Sequence, residues 1–289
     1  MSVILITGAN GQLGSELKEV SRSYYGYDFL FTDLDTLDIS DPDRTSKYIA
    51  EYNPDWIINC AAYNLVDKAE SEPETAMKIN AHSVTNLVNA IKGTNARFIH
   101  ISTDYVFSGQ ACEPYTETDE TGPQGAYGRS KLAGEKAALM HPGTMVIRTS
   151  WLYSQFGSNF VKTILSKGRE KGLLKVVFDQ TGSPTYARDL AEAIMTIVSG
   201  VIRNKFAFTA GLYHYSDEGV CSWYDFATEV IREAKIDCRI IPVRSSEFLS
   251  VAKRPFYSVL DKTKIKENYE LEIPHWRTSL GKCLELLNK

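Results

Sequence analysis

Cysteine is scarce in this chain and unpaired. The five cysteines (Cys60, Cys112, Cys221, Cys238, Cys283) are scattered, odd in number and form no CxxC pair. That suits reduced thiols in a cytosol better than a disulfide framework, so a cytoplasmic location is expected. Long apolar runs are missing too. The first, VILIT, stops at Gly8, which leaves no secretory pattern at the N-terminus. No stretch approaches the ~20 apolar residues of a membrane span. A basic excess is also absent: Lys and Arg number 32 against 36 Asp and Glu, for a formal net charge of -4. Neither nucleic acid nor an anionic membrane has an electrostatic claim as partner. The densest basic cluster, Lys262, Lys264 and Lys266, is interleaved with apolar residues and acids and reads as a solvated helix face. Repeats, low-complexity tracts and flexible linkers are lacking. What remains is a 289-residue chain, 43% apolar, with the size and composition of one large α/β domain or a domain with an appended lobe.

The first half alternates short apolar strands with helical patterns. Strands are expected at 3–7, 29–32, 56–59, 98–102 and 145–149, with helices between them, as at 74–92 and 130–140. Nearly unbroken apolar runs mark strands covered on both faces. Repeated βα units predict a Rossmann-like, doubly wound parallel sheet. Beyond Trp151 the rhythm changes. Helices are expected near 157–170, 187–199, 222–235 and 276–287, with short strands near 175–178, 212–215 and 239–241. The expected division is a dinucleotide-binding domain over 1–150, regaining a strand and helix from about 175–215, and a mostly substrate-binding lobe over 151–289. The boundary between them is interleaved.

The first strand runs into GANGQLG, with Gly8, Gly11 and Gly14 spaced as GxxGxxG. Gly8 allows a tight turn, Gly11 lets backbone amides approach a pyrophosphate, and Gly14 lets the helix pack close to the sheet. The anion then sits at a helix N-terminus, where unpaired N–H groups and the helix dipole favour negative charge. Asp33 follows the second strand, near the ~20-residue offset at which an acid takes the adenosine ribose hydroxyls. Asp35 and Asp38 are the alternatives. A carboxylate there repels a 2′-phosphate, which points toward NAD(H), and no arginine follows directly.

AYGRSKLAGE places Lys131 four residues after Tyr127. Positions i and i+4 share a helix face. A nearby ammonium stabilises phenolate and is expected to lower the tyrosine from its ordinary value of about 10. Such a tyrosine passes a proton to a carbonyl oxygen while hydride moves at carbon. Ser102 and Thr103 end the fourth strand, on the side of the sheet where ligands gather, and a hydroxyl there suits a substrate oxygen.

GxxGxxG, a strand-end Ser/Thr and YxxxK together resemble the extended short-chain dehydrogenase/reductases. TGANGQLG, NCAAYNLVDKAESEPE, HISTDYVFSG, YGRSKLAGE, RTSWLY and DQTGSPT, with SWYDFA and KRP further on, narrow the resemblance to the dTDP-4-dehydrorhamnose reductase branch. The resemblance implies reduction of a 4-keto dTDP-sugar by NADPH or NADH, in a monomer or homodimer. It makes Tyr127 the proton donor to the sugar C4 oxygen and Thr103 a hydrogen-bond partner of that oxygen. Lys131 holds the nicotinamide ribose. Gly11, Gln12 and Leu13 cradle the pyrophosphate. Asp33, Asp38 and Ile39 flank the adenosine, and Ala61, Ala62, Tyr63 and Asn64 line the cofactor. Val66, Asp104, Tyr105, Trp151, Trp223 and Arg254 fall to the substrate side, an arginine being suited to phosphates.

Each assignment has a plainer reading. Trp151 and Trp223 also read as core aromatics, Arg254 as a surface ion pair, and Asp67 and Glu70 as a solvated helix start, the reading taken for Glu70. Asn64 departs from the family's usual threonine. Some members join subunits through magnesium held by glutamates. Glu16 matches the first, Arg188 stands near the second, and Glu285 is out of register, so no residue is assigned to a metal. A nucleotide-sugar epimerase or dehydratase of the same fold, which holds its NAD tightly, and a non-catalytic regulatory subunit are the alternatives to a reductase.

Overall fold

The computed structural model describes residues 1–247 and 250–287. Six strands form a parallel sheet: β1 (Ser2–Thr7), β2 (Tyr27–Thr32), β3 (Trp56–Asn59), β4 (Arg97–Thr103), β5 (Thr144–Thr149) and, after an intervening strand β6 (Leu173–Val177), β7 (Gly211–His214). Their order is β7-β5-β4-β3-β1-β2, all parallel. The apolar runs anticipated these strands to within two residues at each end, because the central ones, β3, β4 and β5, are buried on both faces. WIIN at 56–59 is wholly buried. The strands are covered by helices that include α1 (Gln12–Ser21), α2 (Pro42–Tyr52), α3 (Ser83–Ala90), α4 (Ala126–Ala138), α5 (Phe160–Glu170) and α6 (Ala187–Ile202). Leu13 and Leu17 of α1 pack with Leu190, Ile194 and Ile197 of α6 on one face. Ile49 of α2, Val84 and Leu87 of α3 and Ala138 of α4 cover the other.

A smaller cluster lies beside the sheet. It joins α5, β6, α7 (Trp223–Glu233), β8 (Arg239–Val243) and, beyond the short α8 (Thr263–Tyr269), α9 (Trp276–Leu287). β6 pairs with β8 in parallel, apart from the main sheet. Helix starts are marked in the sequence: Asp41 caps α2, Asn159 caps α5, and Ser222 with Asp225 forms a capping box on α7.

The lysine cluster is not the solvated face expected from its spacing. Lys262 is buried and pairs with Glu218 at 3.2 Å, and Lys266 reaches the same carboxylate at 2.9 Å. Lys264 donates to the Leu212 carbonyl at 2.7 Å. α8 returns against β7, and long lysine stems cross the gap with their charged ends still paired. No helix among the described residues is long and apolar enough to cross a membrane.

Candidate active site

The chain leaves β1 for β2 on one side and returns to β3 on the other, so a crevice opens between the carboxyl ends of β1 and β3. Gly8 turns the chain there with φ +66°, and a Cβ on it would lie 2.6 Å from the Ala61 nitrogen. Only glycine fits that turn. A Cβ on Gly14 would meet the Gly8 carbonyl at 2.3 Å, so the glycine brings α1 close to the strand end. Gly11 is the N-cap of α1 and offers no capping side chain. The first helical bond runs from Ser15 N to the Gly11 carbonyl, which leaves the amides of Gln12, Leu13 and Gly14 without helical partners. An uncapped helix start at a sheet crevice suits a pyrophosphate.

A cavity of about 400 Å³ follows from this turn, lined by Gly8, Gly11, Asp33, Asp38, Ile39, Ala61, Ala62 and Asn64 among others. The residues present fit a dinucleotide: a bare helix end for phosphate, an apolar wall, and acids at the far end. Asp33 is oriented by two backbone amides, Asn10 N at 2.8 Å and Leu34 N at 2.8 Å. Asp38 accepts from Ser40 N at 2.9 Å, and hydrogen bonding from the Ser40 hydroxyl first, then from this amide, holds its carboxyl below the ordinary value. Among the described residues no lysine or arginine lines the cavity. Gln12, Leu13, Gly14, Tyr63, Tyr127 and Lys131 sit outside its wall. The Leu13 side chain is buried in the core, so only its amide is available to a ligand. Gln12 accepts from Asn159 Nδ2 at 2.9 Å. Tyr63 bonds Glu72 at 2.6 Å, while its backbone is clasped by Asn80.

Tyr127 and Lys131 enter from α4, and both are buried. The Tyr127 hydroxyl donates to Asn64 Oδ1 at 3.5 Å, which joins the phenol to the cavity wall. Its ring meets Tyr105 edge-on, with centroids 5.4 Å apart. The expected acidification does not occur in this structure. Burial raises Tyr127 above the ordinary phenol value, the Thr103 hydroxyl pulls it down, and Asp104 and Tyr105 push it up. Lys131 is not among these influences; its Nζ donates to the Ile101 carbonyl at 2.7 Å. Burial lowers Lys131 itself to about 8, against the opposing pull of Glu135. At neutral pH the lysine is still mostly charged and the tyrosine keeps its proton.

Thr103 and Ser102 have different fates. The Thr103 hydroxyl donates to Asp104 Oδ1 at 3.0 Å and accepts from Tyr105 N at 3.3 Å. Asp104 is buried, its second oxygen has no protein partner, and burial raises it to about 6. Ser102 points to the opposite side of the strand, as period-two alternation requires, and donates to Glu135 at 2.6 Å. Glu135 is held bidentately by Arg148 at 2.9 and 2.8 Å, a buried ion pair beneath the site.

Two supports were not apparent from local sequence. Glu70 Oε1 accepts from Ala126 N at 2.7 Å and so caps α4 in place of its own N-cap residue, Gly125. A Cβ on Gly125 would lie 2.5 Å from that oxygen. The solvated reading of Glu70 is therefore corrected: it anchors the helix that carries Tyr127. Asn80 sits in a π turn, Lys78–His82, and donates to Ser130 Oγ at 2.9 Å while clasping the Tyr63 backbone. The π turn marks a functional wall, as such turns often do.

A larger cleft, about 690 Å³, lies on the lobe side. Trp223 and Phe160 wall it, with Lys167, Lys171, Lys175, Lys253 and Arg254 around it and no acid in the lining. Trp151 stacks on Trp223 with centroids 3.5 Å apart and planes 6° from parallel, and its backbone is in the left-handed region at φ +47°. Both rings also pack against the apolar core of the lobe, as the plainer reading has it. Arg254 is paired with Asp67 at 2.9 Å. Val66 and Tyr105 pack against the cluster that holds Tyr127.

Glu16 does not fit a bridging magnesium. It is fully buried, accepts from Ser154 at 2.6 Å and lies 3.9 Å from the Arg188 guanidinium. A cation already stands beside it. No group of three or more metal-capable side chains occurs among the described residues.

Comparison with known proteins bears on this geometry. The family model described as RmlD substrate binding domain matches residues 1–289. A Bacillus subtilis protein, the spore coat polysaccharide biosynthesis protein SpsK, is 38% identical over 99% of this chain and 98% of its own. The crystal structure of a dTDP-4-dehydrorhamnose reductase from Clostridium acetobutylicum is 42% identical, with TM-score 0.92, covering 99% of this chain and 100% of that one. A Bacillus anthracis dTDP-4-dehydrorhamnose reductase, solved in complex with NADP, is 38% identical with TM-score 0.93 over 99% of this chain and 100% of that one.

Proposed function

The chain belongs to the RmlD substrate binding domain family, and on that footing we propose that it reduces the C4 keto group of dTDP-4-dehydro-L-rhamnose to give dTDP-L-rhamnose. The observation that carries this reading is one connected path. Asn64 in the wall of the dinucleotide cavity meets the Tyr127 hydroxyl, Tyr127 packs on Tyr105, and Arg254, close enough to Tyr105 to influence its phenol, lines the lobe cleft. A proton donor thus stands between a site for a nicotinamide cofactor and a site for a phosphorylated ligand.

When bound, the reduced nicotinamide supplies the hydride. The free amides at the start of α1 hold its pyrophosphate, and Asp33 and Asp38 receive the adenosine end. Lys131 keeps an ammonium for the ribose hydroxyls. Tyr127 gives its phenolic proton to the C4 oxygen as charge develops there. A phenol that burial keeps protonated suits this direction, since the donor must still hold its proton when the substrate arrives. Thr103 first has to turn its hydroxyl from Asp104 before it can donate to the same oxygen. The Asp104 oxygen without a partner would accept from a sugar hydroxyl. In the lobe cleft the Trp223 and Phe160 walls take the base, and Arg254 with the lysines takes the diphosphate.

The test is loss of NADPH or NADH absorbance with dTDP-4-dehydro-L-rhamnose generated in place by the preceding enzymes. Stoichiometric oxidation with formation of dTDP-L-rhamnose is expected. A protein that purifies with tightly held NAD and oxidises no added NAD(P)H would contradict the reading and favour an epimerase.

A further inference from the structure

We propose that Asp67 is a positioning residue for the nucleotide-sugar, a single carboxylate that fixes the strap over 250–254 and aims Arg254 into the lobe cleft. The inference rests on the reading that Arg254 meets the substrate's phosphates.

The geometry is specific. Asp67 Oδ2 accepts from Arg254 Nη2 at 2.9 Å, across 187 residues of chain. Its Oδ1 accepts from Ala252 N at 3.1 Å and from Ser250 Oγ at 3.4 Å. Ser250 Oγ also accepts from Arg254 Nε at 3.2 Å. One carboxylate therefore gathers a backbone amide, a hydroxyl and a guanidinium from a five-residue stretch. Asp67 itself sits in the Val66–Ala69 turn, three residues after Asn64, which contacts the Tyr127 hydroxyl.

Stability does not explain this arrangement. The pair is partly exposed, with 30% of the Arg254 side chain and 46% of the Asp67 side chain accessible. Pairs in that setting contribute little to folding. The consequence is geometric. Arg254 shares the cleft wall with Lys253 and three further lysines. Without a carboxylate partner its guanidinium would be repelled by them and free to rotate, and ordering it would weaken ligand binding. A guanidinium has a planar fork with several donors, so a carboxylate on one side leaves others for phosphate. Asn64 just before this turn and Val66 within it meet Tyr127, so Asp67 also fixes how far the phosphate end lies from the proton donor.

Asp67→Asn and Arg254→Ala, singly and together, in the full-length protein test this. Arg254→Ala is expected to raise KM for dTDP-4-dehydro-L-rhamnose about tenfold, the scale of a lost charge-assisted pair. Asp67→Asn is expected to raise it about fivefold, with kcat and the cofactor KM within about twofold, as for lost uniform binding. The double variant should match Arg254→Ala alone, because the carboxylate acts through the arginine. A double variant whose KM is the product of the two single effects would overturn the proposal. So would a normal KM in Asp67→Asn beside a raised one in Arg254→Ala, and that result would leave the phosphate assignment standing. A normal KM in Arg254→Ala would instead remove the phosphate reading itself. Melting temperature checks that the variants are folded, and Asp67→Ser gives the same comparison should the asparagine variant fail to fold.

Discussion

The two ends of the site are built on opposite principles. At the proton-transfer end Tyr127, Lys131, Thr103 and Asp104 are all buried. Burial there is the largest influence on Tyr127, Lys131 and Asp104 alike. At the phosphate end Arg254 and Asp67 are partly open to water, and the lysines around the cleft come from α5 and its C-cap, from β6 and from the 250–254 strap. Desolvation governs the first end, and screened Coulomb attraction governs the second. Changes at the buried end should therefore move kcat, pH dependence and stability. Changes at the open end should move KM and respond to salt.

The sharpest way to break this contrast is Tyr127→Phe. Turnover should fall by about 10²–10⁴, the span of general acid catalysis, while cofactor affinity, measured by fluorescence titration, stays nearly unchanged. A variant that kept its turnover would remove the proton donor. Next comes Glu135→Gln, which leaves the buried Arg148 guanidinium without its ion-pair partner. A loss of about 3 kcal/mol in denaturant unfolding is expected, along with a downward move of Lys131, since Glu135 is the charge that holds it up. The smallest effect is expected at the cofactor's far end. Asp33→Ala should raise the ratio of kcat/KM for NADPH over NADH by about tenfold, equivalent to removing about 1.4 kcal/mol of repulsion. An unchanged ratio would mean that the carboxylate does not face the 2′ position.

The buried end was also the more legible one. The apolar strand runs, the glycine turn and YxxxK are local patterns, and strands and helices bring local patterns together by fixed periodicities. The charge states were not legible. Spacing put Lys131 on the same face as Tyr127, but the Ile101 carbonyl takes the ammonium, and a carbonyl on a neighbouring strand leaves no mark near YGRSK. Glu70 and Ala126 meet across 56 residues, and Asp67 and Arg254 across 187. Neither pairing has a sequence period. Lys167, Lys171 and Lys175 stand four residues apart. Such a row ordinarily marks a solvated face, and only the fold turns it toward a cleft.

The central claim is that burial sets the charges at the reacting end, with Lys131 titrating near 8 and Tyr127 well above it. The pH dependence of kcat/KM for the nicotinamide cofactor reads this most directly, because it reports groups in the free enzyme. An alkaline limb near pH 8 is predicted for the unmodified protein. In Lys131→Arg, whose guanidinium stays charged, that limb should move well upward. A limb that stays near pH 8 in the arginine variant would assign it to an acidified Tyr127 and contradict the account.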